Sequence, residues 1–421
     1  MSFLVVSSVG TTGDILPYVA LSRALVKRGH RVRVCTHPAH EALFEGIDVD
    51  LRGTAYDASH RELAEVFAAA GTALDPLSQF KILAERIFLK EAEARFGAQR
   101  DATRGADLVV AHFFDYLGQQ AALDLDIPLV TATYMPETLP SEEAPPFPLE
   151  DHGTLFNKLA WMGATQRAET LNALVRELLG RVRSADAIAR HGLVKLGIAG
   201  AASTDLHLLE ASRHLVPVRH DWPPHVRITG KWFDLRPTPP LDAPLAEFLE
   251  RNPRPIVITF GSMGGAEAEH TKEVLSNVLA WLDLPAIVQR GYANLETSTA
   301  QVFVADYVPH DALFPHAACV VHHAGSGTTA AVARSGVPSV PVPHLFDQYY
   351  WAGMLHRKRV ATKPIPRGSL TAPNLGAAIR RALRSNGLRA RAQKLAAKVR
   401  AEPGVLGAVE LIEARLEKHP R

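Results

Sequence analysis

Apolar residues gather in short runs that recur along the chain, each closed by a glycine-containing turn and followed by a stretch with helical spacing. The first run is Phe3 to Ser7, followed by the turn Gly10 to Gly13, a helix-period segment from Ile15 to Lys27 and a second apolar run from Arg31 to Cys35. Strand, turn, helix, strand is a parallel unit with a right-handed crossover. Further strands are predicted at Asp107 to Ala111 and Pro128 to Thr133. The alternation restarts after residue 250, with runs at Pro255 to Phe260, Pro285 to Gln289, Gln301 to Val304, Ala318 to Val321 and Pro338 to Val342. The pattern predicts two doubly wound α/β domains with parallel sheets.

Domain limits follow from the prolines. Pro223, Pro224, Pro237, Pro239 and Pro240 mark 217–244 as a linker, leaving 1–216 as the first domain and 245–403 as the second. A last helical pattern, Gly404 to Lys418 within 404–421, closes the second domain or reaches back to the first. Prolines also crowd Met135 to Pro148, which reads as a surface loop beside a site.

Composition narrows the function classes. The 421 residues exceed what one core usually supports, and 47% apolar with 21% charged residues is ordinary for a globular chain. A net charge of +2, with the Arg-rich stretch 380–400 read as exposed helix faces, argues against a nucleic-acid partner. Cys35 and Cys319 each sit in a valine-rich run, so neither a disulfide framework nor a thiolate metal site is expected. Met1 to Val6 lacks the charged leader of a signal peptide, and no run of ~18 apolar residues occurs. The expectation is a cytoplasmic enzyme without integral membrane contact, monomeric or homodimeric.

In open α/β sheets ligands bind beyond the carboxyl ends of the strands, so the loops there hold the candidate chemistry. The strongest candidate is the run from Val320 to Ala330: a strand ending at His322 and His323, the turn Ala324-Gly325-Ser326-Gly327, and a helix opening with Thr328 and Thr329. Amides freed at a helix start carry about half a positive charge and suit a diphosphate, with the two threonines as hydroxyl donors. A second such turn, Gly261-Ser262-Met263-Gly264-Gly265, also follows a strand. Neither is a P-loop, because the Gly-Lys-Ser/Thr ending is missing. A dinucleotide fold is disfavoured as well. The first turn, Gly10-Thr11-Thr12-Gly13, lacks the third glycine, and the second strand ends at Cys35-Thr36 rather than at an acidic residue.

Taken together, these motifs resemble family-one glycosyltransferases of the GT-B fold, near the bacterial antibiotic-type, rhamnosyl- and sterol glycosyltransferases. The turn Gly10-Thr11-Thr12-Gly13-Asp14-Ile15-Leu16-Pro17 with Arg28 to Val32 matches the N-terminal half. Tyr307-Val308-Pro309-His310, His322 to Thr329 and Pro343-His344-Leu345-Phe346-Asp347-Gln348 follow the donor-site order of the other half. The resemblance implies two Rossmann-like domains facing a central cleft, with the donor held by the second and the acceptor by the first. It implies pyrophosphate contacts from His323, Thr328 and the amides of Gly325, Ser326 and Gly327, aided by Gly261 and Ser262. Tyr307 and Val308 would meet the nucleobase, Asp347 and Gln348 the sugar hydroxyls, and Thr12 completes the donor set. Where many plant members place a Glu for the ribose, this chain has Ala331, so UDP- and dTDP-sugars both remain open as donors. No further cofactor is implied.

The reaction implied is an inverting transfer of a hexose to a hydroxyl of a lipophilic small molecule, independent of metal. Asp14 is the candidate base. Its bland alternative is the N-cap of the following helix, which would put Pro17, without an N–H, at the third helical position. Phe113, Phe114, Asp115, Tyr134 and Met135, following two predicted strands, are candidate acceptor contacts, with core packing as the rival role. Asp115 either assists Asp14 or is solvated. His322, on the opposite strand face from His323, reads as a satisfied strand-end residue. Asp48-Val49-Asp50 has metal-motif spacing, but Asp124-Leu125-Asp126 repeats it, so chance explains both. A nucleotide-sugar epimerase of the same fold and a non-catalytic nucleotide-sugar-binding partner are the alternatives.

Overall fold

The computed structural model describes residues 1–53, 62, 65–66, 69, 78, 82, 85–86, 90–136, 139–146, 149, 152–163, 205–261, 268–290, 300–344 and 347–418. Strand β1 (Phe3–Ser7) is buried at every position because both faces of its sheet are covered. Leu4 and Val6 face helix α1 (Thr12–Lys27), packing with Ile15, Tyr18, Val19 and Leu25. Phe3 and Val5 face the other way, into a cluster with Val109, Ala122 and Ile127.

The strands β2 (Arg31–Thr36), β3 (Asp50–Gly53), β4 (Leu108–His112), β5 (Leu129–Thr133), β6 (Leu206–Leu209) and β7 (Val226–Ile228) join β1 in a parallel sheet. Its order among the described residues is β3-β2-β1-β4-β5-β6-β7. Helices α2 (Ala92–Thr103) and α3 (Tyr116–Asp124) pack together on one face.

The second sheet runs β10 (Val302–Ala305), β9 (Ala286–Gln289), β8 (Ile256–Thr259), β11 (Cys319–His322), β12 (Ser339–Pro341), again all parallel. After α4 (Ala243–Arg251), helix α5 (Ala268–Leu282) covers one face of it. There Val274, Leu275 and Val278 meet Ile256, Ile258 and Val321. Helix α6 (Ser326–Ser335) follows β11, and α7 (Asp347–Arg357) follows β12. Helix α8 (Ala372–Arg384) packs on α5, and α9 (Asn386–Arg400) runs along α6. Among the described residues no helix is long and apolar enough to cross a membrane.

The chain divides into two compact units, one of 1–66, 73–235 and 403–421, the other of 67–72 and 236–402. The boundary therefore falls at Leu235, inside the stretch predicted as a linker. That stretch contains β7, whose Val226 and Ile228 pair in register with His207 and Leu209. The prolines flank an edge strand, a position that tolerates them, and α4 begins before the predicted linker ends.

The last helix, α10 (Gly404–Lys418), belongs to the first unit. Val405, Ala408, Val409 and Ile412 enter the α1 side of the core, and Glu413 accepts from Arg28 Nε at 3.0 Å. Arg415 pairs with Asp205 at 2.6 Å.

Candidate active site

In the second unit the carboxyl ends of β8, β11 and β12 bring the candidate donor residues to one edge. Beyond β11 the chain turns through Ala324, held at a φ of 66°, and enters α6. A non-glycine residue in that region marks a turn that its surroundings enforce. His322 is buried and its Nδ1 accepts the Ala324 N–H at 3.2 Å, which braces the turn. Gly325 is the N-cap and offers no side chain, and the first intrahelical bond runs from the Thr329 N–H to the Gly325 carbonyl at 2.8 Å. The amides of Ser326, Gly327 and Thr328 are thus left without helical acceptors at the positive end of the helix dipole. Thr329 is wholly buried with its hydroxyl enclosed, and Thr328 is buried but 7% exposed.

Two glycines are required here by the His323 ring. A Cβ on Gly325 would lie 2.5 Å from His323 Nε2, and one on Gly261, at a φ of 71°, would lie 3.1 Å from Cε1. Burial pushes the His323 imidazole down to about 4, opposed by the Thr259 backbone, so it is neutral at pH 7. Ser262 lies outside the described residues. Gln348 is buried and its Oε1 accepts the His344 N–H at 2.8 Å, so this candidate sugar contact also fastens the loop before α7; Asp347 is half-buried at the helix start. The Val308 carbonyl accepts from Gln289 Nε2 at 2.7 Å, and the Tyr307 ring is 71% exposed. Ala331 is buried within α6.

In the first unit the turn after β1 holds Asp14. Helix α1 starts earlier than expected: Thr11 is the N-cap and Asp14 the third helical residue. Asp14 Oδ2 accepts the Thr11 N–H at 2.7 Å and the Thr11 hydroxyl at 2.9 Å, one half of a capping box. The cap reading thus holds in altered form, and Pro17 moves to the sixth helical position, past the first turn. The other carboxylate oxygen, Oδ1, makes no hydrogen bond among the described residues. Gly10, at a φ of 124°, is required because a Cβ there would collide with Asp14. Thr12 is half-buried at the first helical position.

Asp115 is not solvated. It is buried, bonded to the Ser7 hydroxyl, and caps α3 by accepting the Gly118 N–H at 3.1 Å. Burial pushes its carboxyl up, against the pull of those two donors. Phe113 is core, whereas Phe114, Tyr134 and Met135 keep part of their surface open.

Sequence reasoning missed a polar cluster at the same strand ends. Glu210 directly follows β6 and Lys231 follows β7; the two are 2% and 7% exposed and pair at 2.9 Å. Lys231 Nζ also lies 5.7 Å from the centre of the Tyr134 ring. His112, at the end of β4, meets the edge of Tyr18 at 5.6 Å. Burial lowers the His112 imidazole to about 4, with Asp14 opposing and Lys231 reinforcing. Glu210 is pushed up by burial and held back by Lys231, while Asp14 adds to the upward push. An acid straight after a buried four-residue run was the available signal for Glu210.

Two family models match stretches of the chain. Residues 4–74 match the glycosyltransferase family 28 N-terminal domain, and 274–414 match the C-terminal domain of erythromycin biosynthesis protein CIII-like proteins. A sterol 3-beta-glucosyltransferase of Arabidopsis thaliana is 29% identical over 97% of this chain and 64% of its own length. An O-mycaminosyltylonolide 6-deoxyallosyltransferase of Streptomyces fradiae is 29% identical over 96% of both chains. The chain has the GT-B fold, and its N-terminal residues match a glycosyltransferase domain. The crystal structure of the glycotransferase of kitacinnamycin has the same fold, with a TM-score of 0.72 at 22% identity over 99% of both chains. The chain spans just under two thirds of the Arabidopsis relative. Asp14 falls inside the N-terminal match, and His323 through Gln348 inside the C-terminal one.

Proposed function

We propose that the chain transfers a hexose from a UDP- or dTDP-sugar to a hydroxyl of a lipophilic small molecule, with inversion. The observation that carries this reading is the uncapped start of α6, with the His323 ring seated against Gly261 and Gly325. The relatives named above act, by name, on a sterol and on O-mycaminosyltylonolide. Asp14 takes the acceptor proton through Oδ1 as the acceptor oxygen attacks the anomeric carbon. The bond from that carbon to the diphosphate breaks, and the nucleotide leaves with the electron pair. Positive charge at the departing phosphates comes from the α6 amides, so no divalent cation is needed.

Incubating the protein with UDP- and dTDP-sugars and a panel of sterols, macrolides, phenolics and hydroxy-fatty acids tests the reading by hexose mass shifts. Turnover is expected to survive EDTA; its loss on chelation and return with Mg²⁺ would remove the metal-free part of the reading. Gly325→Ala forces the His323 ring aside, an overpacking that costs about 1–3 kcal/mol. Donor affinity measured calorimetrically is expected to fall about tenfold. Unchanged affinity would place the diphosphate elsewhere.

A further inference from the structure

The donor edge of the second unit holds a second imidazole. His344 lies three residues past β12, next to β11 in the sheet, and its ring centroid is 6.2 Å from that of His323. Phe260, at the end of β8, backs it at 5.3 Å. Three neighbouring strands thus each deliver a ring to one edge, and the bond from the His344 N–H to Gln348 fixes that loop to the start of α7. We infer that His344 is a second imidazole of the diphosphate site, and that it shares with His323 one proton taken up when the donor binds. The inference rests on the function proposed above.

The surroundings favour this. Among the described residues the groups that act on the two rings are His322 on β11, His310 beyond β10 and Arg367 in the short 3₁₀ turn after α7; β8 contributes the Thr259 backbone and Phe260. Burial keeps both rings neutral in the free protein. His344 is lowered further by His323 and then by Arg367. A diphosphate brings two negative charges, and an opposite charge within about 4–6 Å raises a pKa by roughly 1–3 units. That carries the His323 imidazole, starting near 4, toward neutrality, while His344 starts lower, at about 2, and rises with it. Two rings this close repel when both are charged, so the pair titrates as one acceptor of one proton.

The sign follows. A pKa higher in the bound than in the free state means uptake on binding, and affinity that rises as pH falls through the bound-state value. The effect is at most about tenfold per pH unit for one proton. UDP-glucose and dTDP-glucose are the probes, because a diphosphate esterified at both ends has no titrating proton near neutrality.

Calorimetry of both probes from pH 6 to pH 8, in buffers of different ionisation enthalpy, counts the protons. The wild-type protein is expected to take up a substantial fraction of one proton at pH 6 and almost none at pH 8. His344→Phe, which keeps the face against Phe260, is expected to lower the uptake and flatten the pH dependence while binding at pH 8 persists. His344→Asn serves as the second variant should the first fail to fold. Donor binding without uptake in the wild type overturns the inference alone, as does equal uptake in the variants. Absence of any binding heat at every pH contradicts the proposed function and removes the inference with it.

Discussion

Asp14→Asn is expected to lower kcat by about 10²- to 10⁴-fold, the usual contribution of a positioned base, while leaving donor affinity unchanged. The two roles of this side chain separate cleanly. Oδ2 is committed to Thr11, and Oδ1 is open to take a proton. Asn keeps an oxygen that can accept the Thr11 N–H, so helix α1 retains its start and only proton acceptance is lost. Asp14→Ala removes the capping partner too and should add a stability loss of about 0.5–2 kcal/mol. Rates followed by product mass together with melting curves distinguish the variants. Wild-type turnover in Asp14→Asn would take the base role away from this residue. It would also favour the epimerase alternative, which needs no acceptor base.

Lys231→Met is expected to be the most destabilising single change in the first unit. It leaves Glu210 buried without its cation, and removing one partner of such a pair costs about 3–5 kcal/mol. At roughly 2–4 °C per kcal/mol for a unit of this size, the melting temperature should fall by about 10 °C. The deficit depends on pH. Burial already pushes the Glu210 carboxyl up, and loss of Lys231 pushes it further. A group whose pKa is raised in the folded state stabilises fully below its unfolded value of about 4.3, and that stability is lost as pH rises through the folded value. The deficit should therefore be largest at pH 8 and narrow toward pH 5. The double change Lys231→Met, Glu210→Leu should recover most of it, because the uncompensated charge is gone. A pH-independent deficit would show that packing of the lysine stem, not charge, accounts for the loss.

Much of the architecture was legible because parallel sheets covered on both faces write continuous apolar runs. Phe3 to Ser7 is such a run, with its odd and even residues feeding opposite layers. The start of α1 was legible in principle as well, since Thr11 followed three residues later by Asp14 is a capping signal. Reading Asp14 itself as the cap displaced the helix by three residues. What sequence could not supply was lateral pairing. Glu210 and Lys231 lie 21 residues apart and meet only because β6 and β7 are neighbours in register. His323 and His344 meet because β11 pairs with β12, a contact no local periodicity encodes. The solvated alternative for Asp115 failed for the same reason: its partner Ser7 sits on β1, 108 residues earlier. Short polar edges such as β3, whose residues are half-buried or exposed, carry little apolar signal at all.

A crystal structure of the chain soaked with UDP or dTDP addresses the central claim most directly. The diphosphate should lie on the amides of Ser326 to Thr328 with the His323 ring beside it, in the second unit. A nucleotide seated instead on the Gly10–Gly13 turn of the first unit would contradict the account.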